Sequence, residues 1–218
     1  IAHSKVKLAR EWGADGPPRL WSVTLGDGYA GPAVRNGRVY LLDYDVERQA
    51  DALRCFSIRD GREIWRRSYQ VAVKRNHGMS RTVPAVTDEH VVSVGPKCHV
   101  LCVDAVSGDF RWGIDLVREH GSEVPLWYTG QCPLIDDGIA VLAPGGKALL
   151  MGVDCATGSI AWQTPNPDGW KMSHASIIPA TVHGKRQYVY CAIGGVVGVS
   201  AEPEDRGDHL AGGVAWNR

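Results

Sequence analysis

The chain is predicted to be all-β, built from four-stranded units set side by side, and three observations carry that prediction. Tryptophans fall at 21, 65, 112, 162 and 216, with spacings of 44, 47, 50 and 54 residues. Prolines at 32, 84, 133 and 179 hold a matching period, with spacings of 52, 49 and 46. Two independent anchors on one period mark an internal repeat. Third, no stretch of ten or more residues carries apolar positions at helical spacing, whereas short apolar runs punctuated by glycine recur throughout.

Each element follows from its residues. In the first unit, strands are expected at about Gly31–Arg35, Arg38–Leu42, Asp51–Ile58 and Glu63–Tyr69. Asn36-Gly37 is a two-residue hairpin turn between the first pair. Asp88-Glu89, Asp136-Asp137-Gly138 and His183-Gly184 take its place in later units. The last pair turns at Asp60-Gly61, Ser107-Gly108 and Thr157-Gly158, where glycine accepts the positive φ such turns need. Asp104 and Asp154, four residues before Gly108 and Gly158, are placed to accept backbone N–H groups across the turn, a structural role. Trp65, Trp112 and Trp162 close three units on the last strand, and Trp216 closes a looser fourth.

A lone four-stranded unit leaves both faces wet, so such units stack around an axis as the blades of a β-propeller. The tryptophans are expected between neighbouring blades. Blades are predicted at about 29–70, 80–118, 129–165 and 174–218, the last irregular after residue 202, with an orphan final strand at 19–25 around Trp21. About four blades are visible, and the orphan strand suggests one part of a larger ring. The chain begins at Ile1, the start expected of a mature, trimmed or partial protein.

At these residues the chain resembles the pyrroloquinoline-quinone (PQQ)-like propeller repeat, whose pattern is Asp-x-x-x-Gly-x-x-x-Trp behind a proline-bearing inner strand. Asp104/Gly108/Trp112 and Asp154/Gly158/Trp162 match it, and Ser57/Gly61/Trp65 matches with serine for aspartate. The fourth copy departs where Pro203 to Leu210 interrupts the turn. The resemblance covers about residues 19–218 and implies a bacterial propeller, commonly of six to eight blades. Family members include quinone-dependent dehydrogenases and an outer-membrane assembly scaffold that binds no quinone.

Composition excludes several classes. Lys+Arg and Asp+Glu both number 24, so net charge points to neither nucleic acid nor an acidic partner. No apolar run approaches the ~20 residues that span a bilayer. The six cysteines include no C-x-x-C and no C-x-x-C-H, which argues against haem attachment. Gly145-Gly146-Lys147 lacks a phosphate loop's spacing and reads as a turn.

Strand order assigns loops to faces. Loops between second and third strands, together with the connections between blades, share one face, which in the family carries ligand sites. Here it collects Asp43, Asp45, Glu47, Lys97 and Lys147, with His77, Arg81, His120, Trp127, Trp170 and His174 from the connections. The acidic run 43–47 is read as a solvated loop rather than a calcium site, because calcium takes six or more oxygens. The histidines at 77, 120 and 174 are read as scattered rather than as a metal site. The resemblance makes a quinoprotein site conceivable, but such a site needs adjacent cysteines and a calcium-ligand set, and neither stands in the sequence. The expected function is therefore a non-catalytic platform without cofactor, periplasmic or extracellular, that binds a protein or small ligand on the inter-blade face. A PQQ- and calcium-dependent dehydrogenase-like protein is the alternative.

Overall fold

The computed structural model describes residues 9–74 and 79–202, and the backbone of 214–217. Four antiparallel sheets of four strands follow one another along the chain, each strand pairing with its sequence neighbour. The first holds β1 (Ala33–Arg35), β2 (Arg38–Asp45), β3 (Ala50–Ser57) and β4 (Glu63–Gln70). The second holds β5 (Ala85–Val86), β6 (His90–Val94), β7 (His99–Asp104) and β8 (Phe110–Asp115). The third holds β9 (Leu134–Asp136), β10 (Ile139–Leu142), β11 (Ala148–Asp154) and β12 (Ile160–Pro165). The fourth holds β13 (Ile178–Val182), β14 (Lys185–Ala192), β15 (Gly195–Ser200) and β16 (Val214–Asn217). These are propeller blades.

The repeat is visible residue by residue. Trp65 pairs with Cys55, Trp112 with Cys102, Trp162 with Gly152 and Trp216 with Gly198, and a register shift follows the paired residue on the third strand in all four sheets. One extra residue on the outer strand at this point sharpens the local twist. Asn36-Gly37, Asp137-Gly138 and His183-Gly184 all take positive φ, as tight hairpins require.

Between blades the core is apolar. Tyr40, Leu42, Leu53 and Trp65 of the first blade pack on Val91, Val103 and Ala105 of the second. Val100, Cys102, Trp112 and Ile114 pack on Leu142, Met151 and Cys155 of the third. Trp162 and Leu150 meet Tyr188, Tyr190 and Val199 of the fourth. Trp162 lies parallel to Tyr188 at a 5.8 Å ring separation.

Each joint has a second half. Gly108 presents bare backbone to the indole of Trp65, and a Cβ there would lie 2.5 Å from the ring. Gly158 receives Trp112 in the same way, and Gly61 receives Trp21. Trp112 Nε1 donates to Cys155 O at 2.8 Å, and Trp21 Nε1 donates to Ile58 O at 2.7 Å. Trp65 Nε1 is buried without a partner among the described residues: the equivalent carbonyl, Ala105 O, is taken by Tyr40 Oη at 3.1 Å and Arg38 Nη1 at 3.2 Å. The side chain of Trp216 lies outside the described residues.

Three expectations change. Residues 19–25 form no strand; the segment pairs with no neighbour among the described residues, and Trp21 docks without a ladder. A five-residue helix, α1 (Leu116–His120), stands in the second inter-blade connection; it is too short to leave a periodic trace. Asp115 caps its first turn and buried Leu116 anchors it. Finally, β2 runs three residues further than expected, to Asp45, which moves the first part of the acidic run off the loop.

Candidate functional site

The inter-blade face is built from the connections that follow β4, β8 and β12 and from the loops after β2, β6 and β10. Its residues separate into three groups.

The acidic run does not form a ligand loop. Asp43 is buried on β2, where its Oδ2 accepts Arg54 Nη1 at 2.7 Å and its Oδ1 accepts Gly26 N at 2.7 Å. Arg54 also pairs with Glu63 and lies 4.7 Å from the Phe56 ring centroid, so Asp43 belongs to a buried ionic cluster inside the blade. Asp45 is tied to Arg48 at 2.9 Å, and backbone and side-chain bonds from Arg48 hold its carboxyl below the usual range. Glu47 alone remains exposed. Asp43 is therefore corrected from a surface ligand to a structural anion.

The connections are stitched to one another. Lys74 N donates to Tyr128 Oη at 2.9 Å, and Tyr128 Oη donates to Lys74 O at 3.1 Å. His174 Nε2 lies 3.0 Å from Tyr128 O, which ties the third connection to the second. Lys171 pairs with Glu123 at 2.7 Å across the same gap. Asn166 braces Trp170 by accepting its N–H at 2.9 Å, and the indole lies against Gly194. Half-buried Arg81 has its basicity lowered by burial. Lys97 is half-buried. His120 is buried, His174 is exposed, and His77 lies outside the described residues. Among the described residues no cluster of His, Cys, Asp and Glu could hold a metal.

A third group is apolar and exposed. Val124, Leu126 and Trp127 stand in the second connection, with Leu126 80% and Trp127 42% exposed. The loop that carries them is held from beneath: Tyr128 N donates to Pro125 O, and Thr129 N donates to Pro96 O.

Sequence reasoning missed the most perturbed acid on this side. Asp51, at the start of β3, is fully buried and accepts Ser80 Oγ and, at 3.0 Å, Tyr69 Oη. Burial raises its carboxyl to about 6. Gly95 of the second blade abuts the pair so closely that a side chain there would overlap Tyr69 Oη. With no surface, Asp51 joins blade to connection and meets no substrate. An acidic residue at the head of a strand that is apolar but for Arg54 and Ser57 was the available clue.

A family model described as outer membrane protein assembly factor BamB matches residues 49–205. That span exceeds half of the 218 residues. The chain belongs to the PQQ-like, BamB-type propeller family. BamB from Moraxella catarrhalis superposes with a TM-score of 0.58 at 17% identity, covering 91% of this chain and 51% of its own. A europium-containing methanol dehydrogenase gives 0.60 at 15% identity over 88% of this chain and 41% of its own. The quinohemoprotein alcohol dehydrogenase from Comamonas testosteroni gives 0.58 at 13% identity over 89% and 35%. At such identities the likeness is one of fold, shared with an assembly factor and with dehydrogenases alike. The chain spans about half of the BamB chain and less of the enzymes. No curated protein sequence matches it. No described helix is long and apolar enough to cross a membrane.

The residues present do not fit a quinone with its calcium ion. Asp43 is spent on Arg54, Asp51 has no surface, and Trp170 is pinned on Gly194. The cysteines are free, and no two are adjacent in the chain.

Proposed function

We propose that this propeller is a non-catalytic binding platform of the bacterial envelope or exterior, related in role to the outer-membrane assembly factor whose family it shares. The observation that carries this reading is the Val124-Pro125-Leu126-Trp127 loop. Its apolar side chains are exposed while its backbone is turned by Tyr128 N on Pro125 O and anchored just beyond by Thr129 N on Pro96 O. A rigid loop that holds apolar side chains in water gains by covering them with a partner. The polar groups around it are tied to neighbouring connections (Lys74, Tyr128 and His174), so they brace the surface rather than perform chemistry. The protein acts here as a single propeller domain that presents its inter-blade face to another protein.

A photo-crosslinker placed at Leu126 should capture an outer-membrane assembly component in intact envelopes, and Trp127→Asp should abolish the capture. Calorimetry with PQQ and Ca²⁺ supplies the opposing arm. Stoichiometric binding of the quinone there overturns the platform reading in favour of a redox protein.

A further inference from the structure

A groove of about 460 Å³ opens between the first and second blades. Its floor is the sheet face of β7 and β8, with Leu101, Val103 and Phe110, and its wall is the outer strand β4, with Arg67 and Tyr69. Gly113 lines it without a side chain. Gly113 pairs with Leu101, whereas the equivalent pairs are Arg54 with Arg66 in the first blade and Met151 with Gln163 in the third. Long side chains stand at this position on either side, and glycine leaves it open.

The polar groups around the groove give it a sign. Arg67 is already committed, to Gly108 O and to Asp109 at 2.7 Å. At the other end stand Asp115 and Glu119. Asp115 Oδ1 caps α1, and Glu119 Oε1 accepts Asp115 N at 2.7 Å. Among the described residues no lysine or arginine pairs with either carboxylate; the nearest partner is His99 Nε2, 3.8 Å from Asp115 Oδ2. Burial lowers the basicity of His99. Its Nδ1 is buried without a partner among the described residues. Both carboxylates line the groove, whereas Lys147, whose Nζ donates to Glu119 O at 3.3 Å, does not. Tyr69 and His99 meet at a 5.3 Å ring separation and form an aromatic flank.

An apolar floor of this volume with a few polar groups at one end matches small-molecule sites rather than an extended protein interface. We propose that this groove binds a small amphiphilic amine, its apolar or aromatic body over Leu101, Val103 and Gly113 and its ammonium at Asp115 and Glu119. An anionic counterpart of the same shape would meet the carboxylates and be rejected.

The test uses the whole chain with 4-phenylbutylammonium and, as its anionic match, 4-phenylbutyrate. Calorimetry should show saturable binding of the amine at least about tenfold tighter than the acid. Amide shifts should gather at residues 99–103 and 110–119. Gly113→Gln, which installs the side chain of the third blade, should abolish binding; the nearest atoms to a Cβ there are Val100 O at 3.3 Å and the Phe110 ring at 3.5 Å. Glu119→Gln, exposed and therefore safe for folding, should weaken the amine about fivefold. Equal binding of amine and acid, amine binding undiminished in Gly113→Gln, or no saturable binding of the amine at millimolar concentration overturns the proposal.

Discussion

The indole of Trp112 lies directly on the backbone of Gly158, so close that a Cβ on that glycine would stand 2.7 Å from the ring. Gly158 also holds φ at +76°, so any replacement meets both a filled space and an unfavourable backbone. Gly158→Ala should lower stability by about 2–4 kcal/mol. Gly138→Ala, with similar φ but open space around it, should cost only the backbone part. Urea melts of the two variants measure the difference.

The tryptophans should not be energetically equal. Trp112 donates to Cys155 O, whereas Trp65 has a buried N–H with no acceptor among the described residues. Trp112→Phe loses a satisfied hydrogen bond, and Trp65→Phe removes an orphan donor. We expect the first to be more destabilising by about 1–3 kcal/mol, read from chemical denaturation. Equal losses would sink this account of the joints.

Asp51 gives the fold an unusual pH response. Its folded value, about 6, lies above that of a free aspartate, so the native state holds the proton more tightly than the unfolded chain. Its contribution is therefore fully present below about pH 4, falls as pH rises to about 6, and is then constant. The loss is about 3 kcal/mol. Asp104 acts in the opposite sense: backbone N–H groups and Arg111 hold its carboxyl far below the usual range, so its contribution is lost in acid. Comparing Asp51→Asn with the wild type between pH 4 and 7 isolates the Asp51 part. The variant should lack that decline.

Thiol labelling should resolve three classes. Cys191 is exposed, Cys132 is half-buried, and Cys55, Cys98, Cys102 and Cys155 are buried. Burial pushes Cys102 up to about 12 and Cys155 to about 11, which suppresses their thiolates. A maleimide at neutral pH should modify Cys191 at once and Cys132 slowly. The other four should react only in denaturant.

The parts of the fold legible in sequence were those that repeat. Trp65, Trp112, Gly108 and Gly158 recur at fixed spacing, and the carboxylates of Asp104 and Asp154 bond across their turns at 2.8–2.9 Å. What glycine does there was only half visible. A turn explains its φ, but the indole from the preceding blade arrives from about 45 residues away, with Trp65 against Gly108 and Trp112 against Gly158. Asp43 was misread because its neutralising partner, Arg54, stands across a strand pair, and strand length decides whether a carboxylate is loop or core. The Gly113 groove was open to discovery by laying the repeats over one another, since only there does glycine replace Arg66 or Gln163.

The tryptophan–glycine joint also has a direction. In every described case the indole belongs to the earlier segment and the bare backbone to the later blade, as plug and socket face the same way along the chain. Such a contact is heterologous, so it joins any number of units head to tail. A segment running from one tryptophan to the next carries one plug and one socket. Duplicating or deleting such a segment in frame leaves every remaining joint intact, which gives this architecture a route to change its number of blades without inventing a new interface.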